Sequence, residues 1–158
     1  MTSWQMLIQP AVTLFSVWVG YILKVAADRK TSLQNHISDI KEEIEKLSSV
    51  SLEYWSRNVL EVDRGGIDIQ QECKIKSYNH NINKIITNIE KNFRSNDYTN
   101  IRETITNLRQ ASSGGQFEIA QDREVSPEAI MKTMSICGEL KIEIDTFLAK
   151  KKWYHIFQ

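Results

Sequence analysis

The chain has 158 residues, its 20 Lys plus Arg are balanced by 20 Asp plus Glu, and 41% of it is hydrophobic. That length holds one domain and an appendage rather than two full domains, and the ordinary apolar and charged fractions exclude global disorder. Zero net charge removes a whole-chain case for binding DNA, and two prolines and six glycines exclude collagen-like and linker-type chains.

Charge is distributed unevenly. No Asp, Glu, Lys or Arg occurs from Met1 to Leu23. As a helix, the stretch from Met6 to Ala27 would be about 33 Å long, close to the ~30 Å hydrocarbon core of a bilayer. Pro10 falls in its first turn, Trp4 and Tyr21 lie near its two ends, and Lys24 is placed to snorkel. These features predict a transmembrane anchor over residues 1–30. A cleaved signal peptide would carry basic residues before the apolar run, and a buried core helix would keep a polar stripe; this segment has neither. Lys24, Arg29 and Lys30 follow the run, so the positive-inside rule predicts a single-pass inner-membrane protein with its N-terminus outside and the rest cytoplasmic. The isolated Cys73 and Cys137 read as buried thiols rather than a disulfide.

Beyond the anchor, Thr31-x-x-Gln34 has the pattern of a capping box, which predicts a new helix or a change of register. Leu33, Ile37, Ile40, Ile44, Leu47, Ser51 and Tyr54 follow in alternating steps of four and three, a heptad seam. Isoleucine at both seam positions favours three or four strands, so residues 31–62 are expected to be a self-associating, membrane-proximal stalk; the alternative is an amphipathic helix packed on its own domain. Asp63-Arg64-Gly65-Gly66 breaks the pattern, and Asp68 with Gln71 is expected to start the next helix. Its apolar stripe runs Ile75, Tyr78, Ile82, Ile85, Ile89, Phe93. Tyr98, Ile101, Ile105 and Leu108 mark a shorter helix ending near Ala111. Residues 112–126 lack a helical period. Ser126-Pro127-Glu128 is a helix start, with Ser as N-cap and Pro at the first helical position. Ile130, Met134, Cys137, Leu140, Ile144 and Phe147 line the last helix. The expected fold class is therefore all-α: one transmembrane helix, a heptad-patterned helix, and a cytoplasmic helical sensor domain over 63–158.

Catalytic motifs are lacking: no phosphate loop, GxSxG, HExxH, paired CxxC or GxGxxG occurs, and His36, His80 and His155 share no metal spacing. Arg29 and His36 fit only the loose R-x4-6-H pattern of helical ribonucleases of the HEPN type, and Arg29 equally suits lipid headgroups. A non-enzymatic protein without cofactor or metal is expected. Two segments suit an anionic ligand instead. In SSGGQ, Ser112, Ser113, Gly114, Gly115 and Gln116 follow a helix carrying Arg102 and Arg109; glycines allow close approach and a nest of N–H groups, while hydroxyls and guanidinium groups would complete a phosphate site. The plain alternative is a helix C-cap. In KIKSYNHNINK, Lys76, His80, Asn81 and Lys84 stand off the apolar stripe and suit nucleotide recognition, or simply form a solvated face. Lys150-Lys151-Lys152 precede an aromatic tail that suits anionic lipid or a helix C-terminus.

With SSGGQ and KIKSYNHNINK in place, the layout resembles the small membrane effectors of type III CRISPR systems that respond to cyclic tetra-adenylate. The resemblance is one of organisation across the whole chain. It implies an antiviral defence effector, a homo-oligomer of tetrameric type, a cyclic oligoadenylate as ligand and a lipid bilayer as the target it perturbs, and it assigns no residue roles. A symmetric ring of four nucleotides suits a symmetric oligomer, with ligand binding favouring one arrangement of the stalk. The competing expectation is a membrane-anchored scaffold, such as a phage-exclusion factor, that binds a protein partner and no nucleotide.

Overall fold

The structure, a computed structural model, describes residues 3–58, 66–92, 98–115, 117–118 and 123–150, with 3–11 and 150 described by backbone alone. Among the described residues the elements are four α-helices: α1 (Ser3–Trp55), α2 (Gly66–Asn92), α3 (Thr99–Ser113) and α4 (Pro127–Lys150). The chain divides into two compact units, residues 1–35 with 152–158, and residues 36–151.

In the first unit, Val12, Leu14, Phe15, Val17, Trp18, Tyr21 and Leu23 are all exposed. Among the described residues, however, no helix is long and apolar enough to cross a membrane. This overturns the expected transmembrane anchor and the single-pass, N-terminus-outside topology at an inner membrane. The physical reason, among the described residues, is the charge that meets the apolar run at Leu23. Lys24, Asp28, Arg29 and Lys30 follow at once on the same helix. The side chains of Met6 to Ala11, where the expected span began, lie outside the described residues. So does the tail from Lys151 onward.

The capping box expected at Thr31 is also corrected. The helix α1 passes through it unbroken, and the Thr31 hydroxyl donates to the Ala27 carbonyl at 3.0 Å, four residues back along the same helix. A β-branched hydroxyl satisfied in this way sits in a helix interior without capping anything.

In the second unit the helices alternate in direction. Glu43 of α1 accepts from the Asn81 amide of α2, and Tyr54 donates to Glu72, so α1 and α2 are antiparallel. Arg102 of α3 pairs with Glu90 near the end of α2, while Ser112 meets Asn79. The Tyr98 ring at the start of α3 lies 4.9 Å from that of Phe147 at the end of α4. Lys41–Asp145 and Lys141–Glu45 then bring α4 back along α1. The result is an up-down-up-down arrangement of four helices, the usual solution for amphipathic helices joined by short connections.

The heptad seam supplies much of its core. Ile40, Ile44, Leu47 and Tyr54 have no exposed surface, and Ile37 and Ser51 are buried beside them. Since this burial is reached within one chain, the seam is an intramolecular face rather than a coiled-coil interface. The face is read correctly from its spacing; its partner is not. On α2 the buried positions are Ile75, Ile82, Ile86 and Ile89, with Tyr78 and Ile85 only half-buried; Phe93 lies outside the described residues. The face of α3 is as expected and extends through Thr104, Ala111 and Ser112. Thr133 takes the buried place expected for Met134 on α4, while Cys137, Leu140, Ile144 and Phe147 are buried as expected. Ser126 caps α4, accepting from the Ala129 N–H at 3.3 Å, and Pro127 opens it.

One pole of this unit is polar. Trp55 donates its indole N–H to the Ser112 carbonyl at the end of α3, and its own carbonyl accepts from Ser126 at the start of α4. Asp68 is therefore not an exposed cap. It is 2% exposed, in the first turn of α2, and one carboxylate oxygen accepts from both Arg123 at 3.2 Å and Arg57 at 3.4 Å. The Arg123 guanidinium also lies 3.7 Å over the Tyr54 ring, a cation–π contact in a desolvated setting.

Burial and the bond to Glu72 push the Tyr54 hydroxyl up to about 12, and burial pushes the Cys137 thiol up to about 11. Both groups hold their protons longer in the folded chain than in the unfolded one. The folded state then binds more protons above pH ~9, so unfolding free energy falls as pH rises. The expected result is a thermal midpoint that drops progressively between about pH 9 and 12, followed by circular dichroism. A flat profile across that window would show that neither group is buried as described.

Candidate functional site

A cleft of about 570 Å³ opens between α2 and α3 in the second unit. Lys76, Asn79, His80 and Asn83 line one wall, and their i, i+3, i+4, i+7 spacing puts all four on one face of α2. Thr106, Arg109 and Ser113 form the other wall at the matching spacing on α3, with Ile105 between the polar groups. Phe117 and Glu118, just beyond α3, close one end. The cleft thus holds two fixed cations and an imidazole, two side-chain amides, two hydroxyls, an aromatic ring and one carboxylate. It is of small-molecule size, and Arg109 makes no ion pair among the described residues.

Lys76 is the cation with a partner. Its ammonium group donates to Glu118 at 2.5 Å, and this bond raises its pKa above the ordinary lysine value. Glu118 is an uncommon residue in its own right. It has φ +61°, the left-handed region that a residue with a Cβ seldom occupies. Its N–H donates to the Tyr54 hydroxyl at 3.4 Å, and the Phe117 ring lies 5.4 Å from the Tyr54 ring. The end of the cleft therefore rests on the polar pole.

Of the residues predicted to bind ligand, the structure gathers Lys76, His80, Arg109 and Ser113 around one space, although His80 and Arg109 are 29 positions apart. The others are placed elsewhere. Asn81 points to α1, where Glu43 accepts its amide at 2.8 Å. Lys84 is exposed and outside the cleft lining. Arg102 is held by Glu90 through both carboxylate oxygens. Ser112 is buried behind the wall, accepting from the Asn79 amide at 2.9 Å, so it positions a lining residue. Gly114 and Gly115 face a second cleft of about 520 Å³ beside Trp55, Glu124 and Lys132. Gln116 lies outside the described residues.

The expected nest of N–H groups is not formed by the two glycines. Gly114 is extended (φ −94°, ψ 178°) and only Gly115, at φ +64°, is left-handed, whereas a nest alternates the two helical hands. What Gly114 does is steric: a Cβ there would meet the Gln110 carbonyl oxygen at 2.4 Å. The SSGG turn serves to end α3.

Sequence reasoning missed Asn79, Asn83, Thr106, Phe117 and Glu118. Three of these were within reach, since Asn79 and Asn83 follow from Lys76 at helical spacing, and Thr106 lies three residues before Arg109. No local pattern marks Phe117 or Glu118. Among the described residues no three His, Cys, Asp or Glu side chains converge as metal ligands.

The architecture defined here is an antiparallel four-helix unit with a mixed cationic and amide cleft between its second and third helices. No protein family, no curated protein and no solved structure matches this chain.

Proposed function

We propose that the helical unit of residues 36–151 is a non-catalytic receptor for a phosphate-bearing nucleotide, of the oligoadenylate class in an antiviral defence setting. The observation that supports it is the meeting of Lys76 and His80 of α2 with Arg109 and Ser113 of α3 around one cleft. A guanidinium and an ammonium suit phosphate oxygens, and the Asn79 and Asn83 amides beside the Phe117 ring suit a base edge and face. A ring of four nucleotides is larger than one such cleft, so a cyclic tetra-adenylate would be shared between copies of the chain in a symmetric homo-oligomer.

Isothermal titration of the full chain with cyclic tetra-adenylate and linear oligoadenylates tests this. Saturable heat is expected, with affinity falling about tenfold or more in Arg109→Glu while the helical circular dichroism stays unchanged. Unchanged affinity in that variant moves the site elsewhere. The scaffold reading, in which a protein partner replaces the nucleotide, has its own support in α4, where Met131 is 72% exposed and Ile142 68% exposed. It predicts no heat with any oligoadenylate.

A further inference from the structure

We infer that Glu118 is an internal counter-anion of the cleft: it occupies Lys76 until a phosphate group displaces it, and so selects for polyanionic ligands. This rests on the reading of the cleft as an anion site. Three observations carry it. The Glu118 carboxylate lies within the cleft lining and bonds the Lys76 ammonium, the place where a second phosphate would sit opposite Arg109. Both side chains are about half exposed, 57% and 43%, and ion pairs so exposed are weak, so a ligand bringing more than one negative charge can replace the carboxylate. A singly charged or neutral ligand gains little from the exchange.

The third observation is the backbone. Glu118 holds a left-handed φ of +61° with its N–H on the Tyr54 hydroxyl, and Tyr54 donates in turn to Glu72, one helical turn before Lys76. Such a conformation persists when surrounding contacts hold it. Here the holding contacts are the Tyr54 bond on one side and the Lys76 pair on the other. Removing the pair releases the Phe117–Glu118 turn, so occupancy of the cleft is read out at its closed end and against the Tyr54 ring. Arg123 stacked on that ring links the same point to the buried Asp68 pair.

The test uses the full chain and inorganic pyrophosphate, which carries the charge of a nucleotide diphosphate without a base. Titration calorimetry of the wild type, Glu118→Gln and Arg109→Glu is combined with hydrogen exchange at the 117–118 amides. Glu118→Gln is expected to bind pyrophosphate about fivefold more tightly than the wild type, which is near the upper worth of an exposed ion pair. The wild-type amides are expected to exchange faster at saturation, and those of Glu118→Gln to exchange fast already without ligand. Equal or weaker binding by Glu118→Gln, with Arg109→Glu still abolishing it, overturns the counter-anion role and leaves the anion site standing. No binding by any form overturns both.

Discussion

Arg123→Ala is expected to destabilise the folded chain by about 3 kcal/mol. Asp68 is 2% exposed and its pair with Arg123 at 3.2 Å is the closer of its two ion pairs. Truncating the arginine leaves a buried carboxylate whose remaining cation, Arg57, is 3.4 Å away and partly in water. Removing one partner of a buried pair costs about 3–5 kcal/mol, and Arg57 holds the loss to the lower end of that range. The variant also removes the guanidinium from the Tyr54 ring. Chemical denaturation followed by circular dichroism measures the change. Arg123→Met combined with Asp68→Asn is expected to recover most of it, because no buried unpaired charge then remains; Arg57, which also loses its partner, is partly in water. Equal losses in the single and double variants would mean that packing, not charge, dominates at this pole.

Ile44→Ala is expected to cost about 2–5 kcal/mol, the range for deleting most of a fully buried isoleucine. Ile44 lies at the centre of the heptad seam and has no exposed surface within the single chain. The same loss is expected at every protein concentration, since the seam is covered intramolecularly. A cost that shrinks as the protein is diluted would return the seam to an interface between chains.

The seam shows how far pattern reasoning reaches. Periodicity says which side chains of a helix must leave water, and Ile37, Ile40, Ile44, Leu47, Ser51 and Tyr54 are buried together. It does not say what covers them, because a heptad face packs equally well on a neighbouring helix or on a copy of itself. The same ambiguity explains Thr31. A capping box is two residue types at one spacing, and a helix that is already continuous uses the hydroxyl on its own preceding turn instead. The apolar N-terminal run suggested a span by length and charge, yet among the described residues Lys24, Asp28, Arg29 and Lys30 follow it on the same helix, and no helix there is long and apolar enough to cross a membrane.

The candidate site divides in the same way. KIKSYNHNINK and the Arg109–Ser113 stretch each carried chemistry recognisable by residue type, and four of their residues share the cleft. Asn81, drawn from the same stretch, does not, because its register on α2 carries it off the face that Lys76 and His80 share, while Lys84, one turn beyond His80, lies outside the cleft lining.

By itself, the sequence determined that the chain is helical, where α2, α3 and α4 begin to within a few residues, and roughly which face of each helix is apolar. These are local properties, set by side-chain spacing along 3.6-residue turns and by caps such as Ser126. Only the tertiary structure decided that α1 packs on its own chain, that Asp68 pairs with an arginine fifty-five positions away, and that Glu118 closes onto Lys76. Those contacts join residues distant in sequence. The free energy that selects them comes from burying all four helices at once, and no single segment carries a record of it.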